Sequence, residues 1–181
     1  AHYFGSSAEG DAFSAAFRIP NFLQNVFGEG ALSASFIPVY AKLLAQKDEK
    51  EKQVAALIES KEFIFKAQTA SPLRGRTVQL TSDYDVVVSA DSVRTYLPYY
   101  GRAYMAQPYS NEGGIKMTTT DFKYSLGNKK KKRWNIIIEP SDKTEVQQLH
   151  LSISKSGYAT LQVVSTNRDP ITFNGYITSR K

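Results

Sequence analysis

Two periodicities divide this chain. From Asp11 to Leu43 the apolar positions recur at helical spacing: Phe13, Ala16 and Phe17, then Leu23, Val26 and Phe27, then Leu32, Phe36, Val39 and Leu43. From Phe63 onward apolar and polar residues alternate, which is the strand period. Phe63, Phe65 and Ala67 share one face, as do Val78 and Leu80, Tyr84, Val86 and Val88, Ile115 and Met117, and Phe122, Tyr124 and Leu126. The alternation continues through Trp134, Ile136 and Ile138, Leu149, Leu151 and Ile153, Ala159, Leu161 and Val163, and Ile171, Phe173 and Ile177. Turn residues separate the runs at Ser82-Asp83, Ala90-Asp91, Gly127-Asn128, Ser141-Asp142, Ser156-Gly157 and Asn167 to Pro170. The pattern predicts a mainly β chain: two or three helices, then about nine or ten short antiparallel strands closed as a barrel or stacked as a sandwich.

Between the two patterns lies Gln46-Lys-Asp-Glu-Lys-Glu-Lys-Gln53, followed by Val54, Ala55, Leu57 and Ile58. Its spacing predicts a helix from about Lys47 to Lys61 with one apolar side. The chain is therefore divided into a helical part (1–45), a charged helix or linker (46–61) and an antiparallel β domain (62–181). Pro20 and Gly28-Glu29-Gly30 should interrupt the first part, with Ser6 and Ser7 as caps. That part is broken by Arg18, Asn21, Gln24, Asn25 and Glu29, too often for an ordinary membrane span. Periodicity alone reads it as amphipathic helices packed on a partner.

Composition changes the picture in three ways. The formal net charge is +6, and the basic excess lies after residue 53, much of it in the run Lys129 to Arg133. That run reads as a solvated hairpin tip; nucleic acid is not expected as a partner because no aromatics are interleaved to stack on bases. There are no cysteines, which excludes disulfides, thiolate metal sites and cysteine nucleophiles. No basic stretch with an apolar core and small-residue cleavage site opens these residues, so no export signal is expected among them.

No catalytic constellation and no cofactor signature stands out. His150 is the only histidine of the β part and alternates with Leu149 and Leu151, so it should face the polar side of its strand. Asp83, Asp85 and Asp91 lack the spacing of a calcium loop and suit turns and polar faces. The densest candidate is the stretch carrying Tyr96, Tyr99, Tyr100, Arg102, Tyr104 and, beyond it, Tyr109. Tyrosines offer rigid contact area with a polar tip, so these residues could form a lip for a glycan-like or small apolar ligand, or for a protein. The competing reading is a loop whose aromatics plug one end of the sheet core.

Residue order adds two resemblances. Residues 8–45, AEGDAFSAAFRIPNFLQNVFGEGALSASFIPVYAKLLA, resemble the MurJ (MviN) family of lipid II flippases, through the DAF, FRIPN, GEGALS and FIPV elements. In that family the matching helix lines a cavity for the pyrophosphate-linked headgroup, which implies cavity positions at Asp11 and Arg18. Gln24 and Asn25 stand where the family commonly has a pair of arginines, and the remaining helices of a flippase are missing, so transport by this chain is not expected. The resemblance places any membrane contact in residues 11–45 and its own family in the inner membrane.

From about Glu49 to the C-terminus the chain resembles the domain of unknown function 4251 family, in its LTSDYD, YLPYYGRAY and FNGYI elements. That resemblance implies a small exported protein, mainly of Bacteroidetes, in the periplasm or outer envelope, with a lipocalin-like barrel and no assigned activity. The chain thus reads as composite, a flippase-like piece ahead of an exported β domain. The function expected is that of a non-enzymatic envelope domain binding a small molecule or an envelope protein, the alternative being a fragment of lipid II transport.

Overall fold

The computed structural model describes residues 31–104, 113–130, 133–142 and 144–180. The chain divides into two compact units, Ala1–Asp48 and Glu49–Lys181.

Among the described residues there is one helix, α1 (Ala31–Ser60), where two or three were expected. The helix predicted from Lys47 is the C-terminal half of α1. The helix continues unbroken through Pro38, and the Lys/Glu/Gln run that resembled a linker consists of good helix formers. The helical segments predicted from Asp11 to Phe27, with their caps at Ser6 and Ser7 and interruptions at Pro20 and Gly28 to Gly30, lie outside the described residues. Ile37, Val39, Tyr40, Leu43 and Leu44 are exposed on α1. No helix among the described residues is long and apolar enough to cross a membrane. The helix stops where Lys61 adopts a left-handed φ of 56°, with its N–H on the Ile58 carbonyl at 3.3 Å.

Nine strands follow: β1 (Phe63–Pro72), β2 (Val78–Val88), β3 (Val93–Leu97), β4 (Ile115–Thr119), β5 (Phe122–Lys130), β6 (Arg133–Pro140), β7 (Val146–Ser154), β8 (Tyr158–Ser165) and β9 (Ile171–Thr178). They form one sheet in the order β4-β3-β2-β1-β9-β8-β7-β6-β5, and every neighbouring pair is antiparallel. A single sheet that returns its last strand to its first is a barrel, not a sandwich. Closure is nearly complete: the two edge strands, β4 and β5, run in the same direction and are linked only by Thr120-Asp121. They are two halves of one bent path, the first paired with β3 and the second with β6. Thr119 Oγ1 pins the bend, donating to the Asp142 carboxylate at 2.7 Å, while Ser141 N–H donates to the Asp121 carbonyl at 2.9 Å.

The expected break at Ser82-Asp83 is not a strand end. β2 runs through it as a bulge, since Ala67 pairs with Tyr84 but Thr69 pairs with Gln79, so Leu80 to Asp83 stand out against Gln68. Of the Lys129–Arg133 run, Lys130 of β5 pairs with Arg133 of β6, while Lys131 and Lys132, at the expected hairpin tip, lie outside the described residues.

The inward positions are those the alternation selects. Phe63, Phe65, Val86, Ile136, Ile138, Leu149, Leu151, Leu161 and Phe173 are fully buried in one cluster. Leu126 departs from expectation and is 50 % exposed, because β5 is an edge strand and no neighbour roofs its last inward position. Val54 and Ile58 of α1 join the cluster, and Glu51 of α1 pairs with Lys155.

Thr95 lies in the inward row of β3 with its Oγ1 buried and without a hydrogen-bond partner among the described residues. An unmatched buried hydroxyl costs about 1–3 kcal/mol. Thr95→Val keeps the shape and removes that cost, so urea denaturation should show a gain of about 1 kcal/mol; a loss would mean that the hydroxyl is satisfied.

Tyr124 offers a pH test. Its hydroxyl donates to the Ile58 carbonyl at 3.2 Å, and burial pushes it up to about 12 from 10.0. The folded chain keeps this proton at a pH where the unfolded chain releases it. Its contribution is complete below pH 10 and lost as pH rises toward 12. Tyr124→Phe should therefore lose stability less steeply than the parent chain between pH 10 and 12; parallel alkaline profiles would contradict the assignment.

Candidate functional site

The tyrosine-rich stretch leaves β3 at the end of the barrel opposite the last turn of α1. Leu97 and Pro98 are buried, which turns the next residues across the barrel mouth toward the β8–β9 connection. There the two segments are fastened by backbone and side chain together. Tyr104 N–H donates to the Asn167 carbonyl at 2.8 Å, and Asp169 N–H to the Arg102 carbonyl at 3.1 Å. Tyr99 Oη donates to the Arg102 carbonyl at 2.8 Å and reaches the Asp169 carbonyl at 3.1 Å. Tyr104 Oη donates to the Asp169 carboxylate.

Arg168 is the centre of this fastening. It is 8 % exposed, its Nε pairs with Glu145, and Nη1 donates to the Gly113 carbonyl at 3.2 Å and more weakly to that of Gly114 at 3.4 Å. Its guanidinium carbon lies 4.9 Å from the centre of the Tyr99 ring. One buried cation thus joins the β3–β4, β6–β7 and β8–β9 connections. Burial, and after it the charge of Asp169, raises the Tyr99 hydroxyl above the usual tyrosine value. The hydrogen bond to Asp169 is the main reason that Tyr104 is raised. Both phenols stay protonated as donors, which is what the latch requires.

The sequence-selected residues therefore separate into groups. Tyr99 and Tyr104 engage their hydroxyls inside the latch. Tyr100 and Arg102 are exposed on the rim beside it. Tyr96 is elsewhere: the alternation of β3 turns it to the outer wall, where its ring centre is 5.6 Å from that of Tyr84 and Lys116 Nζ lies 5.2 Å from it. A shallow concavity of about 520 Å³ opens there, lined by Asp83, Asp85, Arg94, Tyr96 and Lys116. Tyr109, Asp11 and Arg18 lie outside the described residues.

His150 is half-buried on the outward face, its Nε2 2.9 Å from Gln148 Oε1, and Gln148 in turn donates to Glu139. Asp83 faces Lys66 at 3.5 Å. Among the described residues no group of three or more histidine, aspartate or glutamate side chains is placed to hold a metal. Sequence reasoning took Arg168 and Asp169 for turn residues and did not single out Glu145. The available signal was an adjacent Arg-Asp pair before Pro170, in a chain with a second carboxylate at the opposing turn.

Comparison with known proteins follows the same division of the chain. The family model described as domain of unknown function (DUF4251) matches residues 45–177, and the model described as lipid II flippase MurJ matches residues 1–60. A probable lipid II flippase MurJ of Aquifex aeolicus is 53% identical over 51 residues, 28% of this chain and 10% of that protein. The lipid II flippase MurJ of Thermosipho africanus is 42% identical over 67 residues, 37% of this chain and 14% of that protein. The chain thus spans only about a tenth of the length of the curated relatives it matches. A crystal structure of a DUF4251 family protein from Bacteroides eggerthii aligns with 72% of this chain and 87% of that chain, with a TM-score of 0.49 and 17% sequence identity.

Proposed function

Because this chain belongs to the domain of unknown function 4251 family, we propose that its β domain is a non-enzymatic binding module of the cell envelope. It recognises a glycan-like ligand or an envelope protein with its outer surface, and does not carry an apolar ligand inside. The observation that carries this reading is the filling of the interior. Phe63, Phe65, Phe173, Leu149, Leu151 and Leu161 are among the large side chains fully buried in one cluster, as in a packed core. The buried charges support a non-catalytic role, since Arg168, Glu145 and Asp169 are engaged with one another's loops. The envelope location rests on the exported proteins that the family resemblance brings with it.

The test is uptake of 1-N-phenylnaphthylamine, a small apolar fluorophore. No saturable rise in fluorescence is expected, whereas stoichiometric uptake displaced by fatty acid would overturn recognition from outside.

The similarity of residues 1–60 to MurJ favours a second reading, a membrane-associated piece of lipid II transport. Co-sedimentation of the full chain with phospholipid vesicles, absent for residues 46–181, would support it; equal behaviour of the two would exclude it.

A further inference from the structure

The outer face of the barrel carries a row of residues that are direct register partners across six neighbouring strands. Tyr158 of β8 pairs with Tyr176 of β9, Tyr176 with Lys66 of β1, Lys66 with Asp85 of β2, Asp85 with Tyr96 of β3, and Tyr96 with Lys116 of β4. Directly paired residues point to the same side of a sheet, so all six face outward. Five inter-strand steps make the row about 24 Å long, measured along the curved outer wall. Its aromatic members are left open, with Tyr158 67%, Tyr176 37% and Tyr96 45% exposed.

We propose that this row is a binding track for a linear, uncharged polysaccharide, a proposal that rests on the reading of the domain as one that recognises its ligand from outside. Three features select that ligand. Phenol rings held on a rigid sheet present flat apolar faces, with a polar tip, at small entropic cost, which suits the C–H faces of pyranose rings. The charged members are mixed in sign, with Lys66 between Asp83 and Asp85 and with Asp85 and Arg94 beside Tyr96. Such a surface offers hydrogen bonds in both directions without the single-sign field that a polyanion requires. The adjacent outward positions are hydroxyls and an amide: Thr160 Oγ1 lies 3.0 Å from Asn174 Oδ1, and Asn174 Nδ2 donates to Thr69 at 3.4 Å. Concavities of about 500 Å³ beside Lys66 and Tyr176 and about 520 Å³ beside Asp85 and Tyr96 flank the track. They leave room for substituents of the sugar rings.

Amide NMR shifts of the full chain should be followed during titration with neutral linear hexasaccharides: β1,4-linked glucose, β1,4-linked N-acetylglucosamine and α1,4-linked glucose. Saturable shifts confined to the six strands are expected with at least one of them. Tyr96→Ala and Tyr176→Ala should each weaken binding about tenfold, while Tyr100→Ala on the rim leaves it unchanged. These rings are exposed, so the variants should keep the parent melting temperature. No shifts with any of the three sugars, or Tyr variants that bind like the parent, would overturn the track. Tighter binding of oligothymidylate than of any sugar on the same strands would overturn it in favour of a polyanion. Failure here with no uptake of the apolar fluorophore removes the track alone; interior uptake removes the reading beneath it.

Discussion

Replacing Arg168 by alanine is expected to destabilise the β domain by about 3 kcal/mol. Its side chain is 8 % exposed and pairs with a Glu145 side chain that is 20 % exposed. Removing the cation leaves a carboxylate that is poorly hydrated and unpaired, and releases the carbonyls of Gly113 and Gly114. The value sits at the low end of the range for a broken buried pair because Glu145 keeps some contact with water. Arg168→Lys should rescue little, since an ammonium cannot reproduce a fork that serves Nε and Nη1 partners while lying on the Tyr99 ring. Adding Glu145→Gln to Arg168→Ala should recover part of the loss, because the uncompensated charge is then gone. Urea unfolding of the three variants checks this, and a near-neutral Arg168→Ala would mean that the latch is decoration on a sheet that closes without it.

Gly175→Ala should be comparably severe, about 3 kcal/mol, at the upper end of what overpacking costs. Gly175 pairs with Ala67 at the point where β1 shifts register, and a Cβ there would overlap the Lys66 carbonyl oxygen and come within 2.9 Å of its carbon and 3.2 Å of Ala67 Cα. These are main-chain atoms of a neighbouring strand, so no rotamer change relieves the overlap. The glycine of the FNGYI element thus has a steric reason: β9 and β1 approach too closely for any side chain. A thermal melt within a degree or two of the parent would show that the bulge can move.

The fold was legible where a local period carries it. Phe63 and Phe65, Ile136 and Ile138, and Leu149 and Leu151 alternate with polar neighbours, and each is fully buried. Period 2 decides which side of a strand a residue occupies, but not what stands across from it. For that reason Tyr96 could be grouped with Tyr99 and Tyr104 by proximity along the chain, although its strand turns it to the opposite side of the wall. The Arg168–Glu145 pair joins two turns, and turn residues are ordinarily charged because they are solvated. Nothing local separates a buried arginine from a wet one. The β2 bulge and the unbroken helix α1 were misjudged for a related reason: Ser82-Asp83 and the Lys/Glu run have the composition of punctuation, yet hydrogen bonding to a neighbouring strand, or helix propensity on both sides, overrides it.

The placement of β1 beside β9 has a kinetic side. The first and last strands meet at the centre of the sheet, and its edges come from the middle of the chain. During synthesis β1 to β4 can pair as one meander and β5 to β8 as another, but only β9 unites them. Each half exposes an unpaired central strand until β9 emerges from the ribosome, so the nascent domain carries its greatest aggregation hazard just before β9 can pair. The uniting contact between β1 and β9 spans nearly the whole domain in sequence, and so high a contact order places folding among the slow, millisecond-to-second cases.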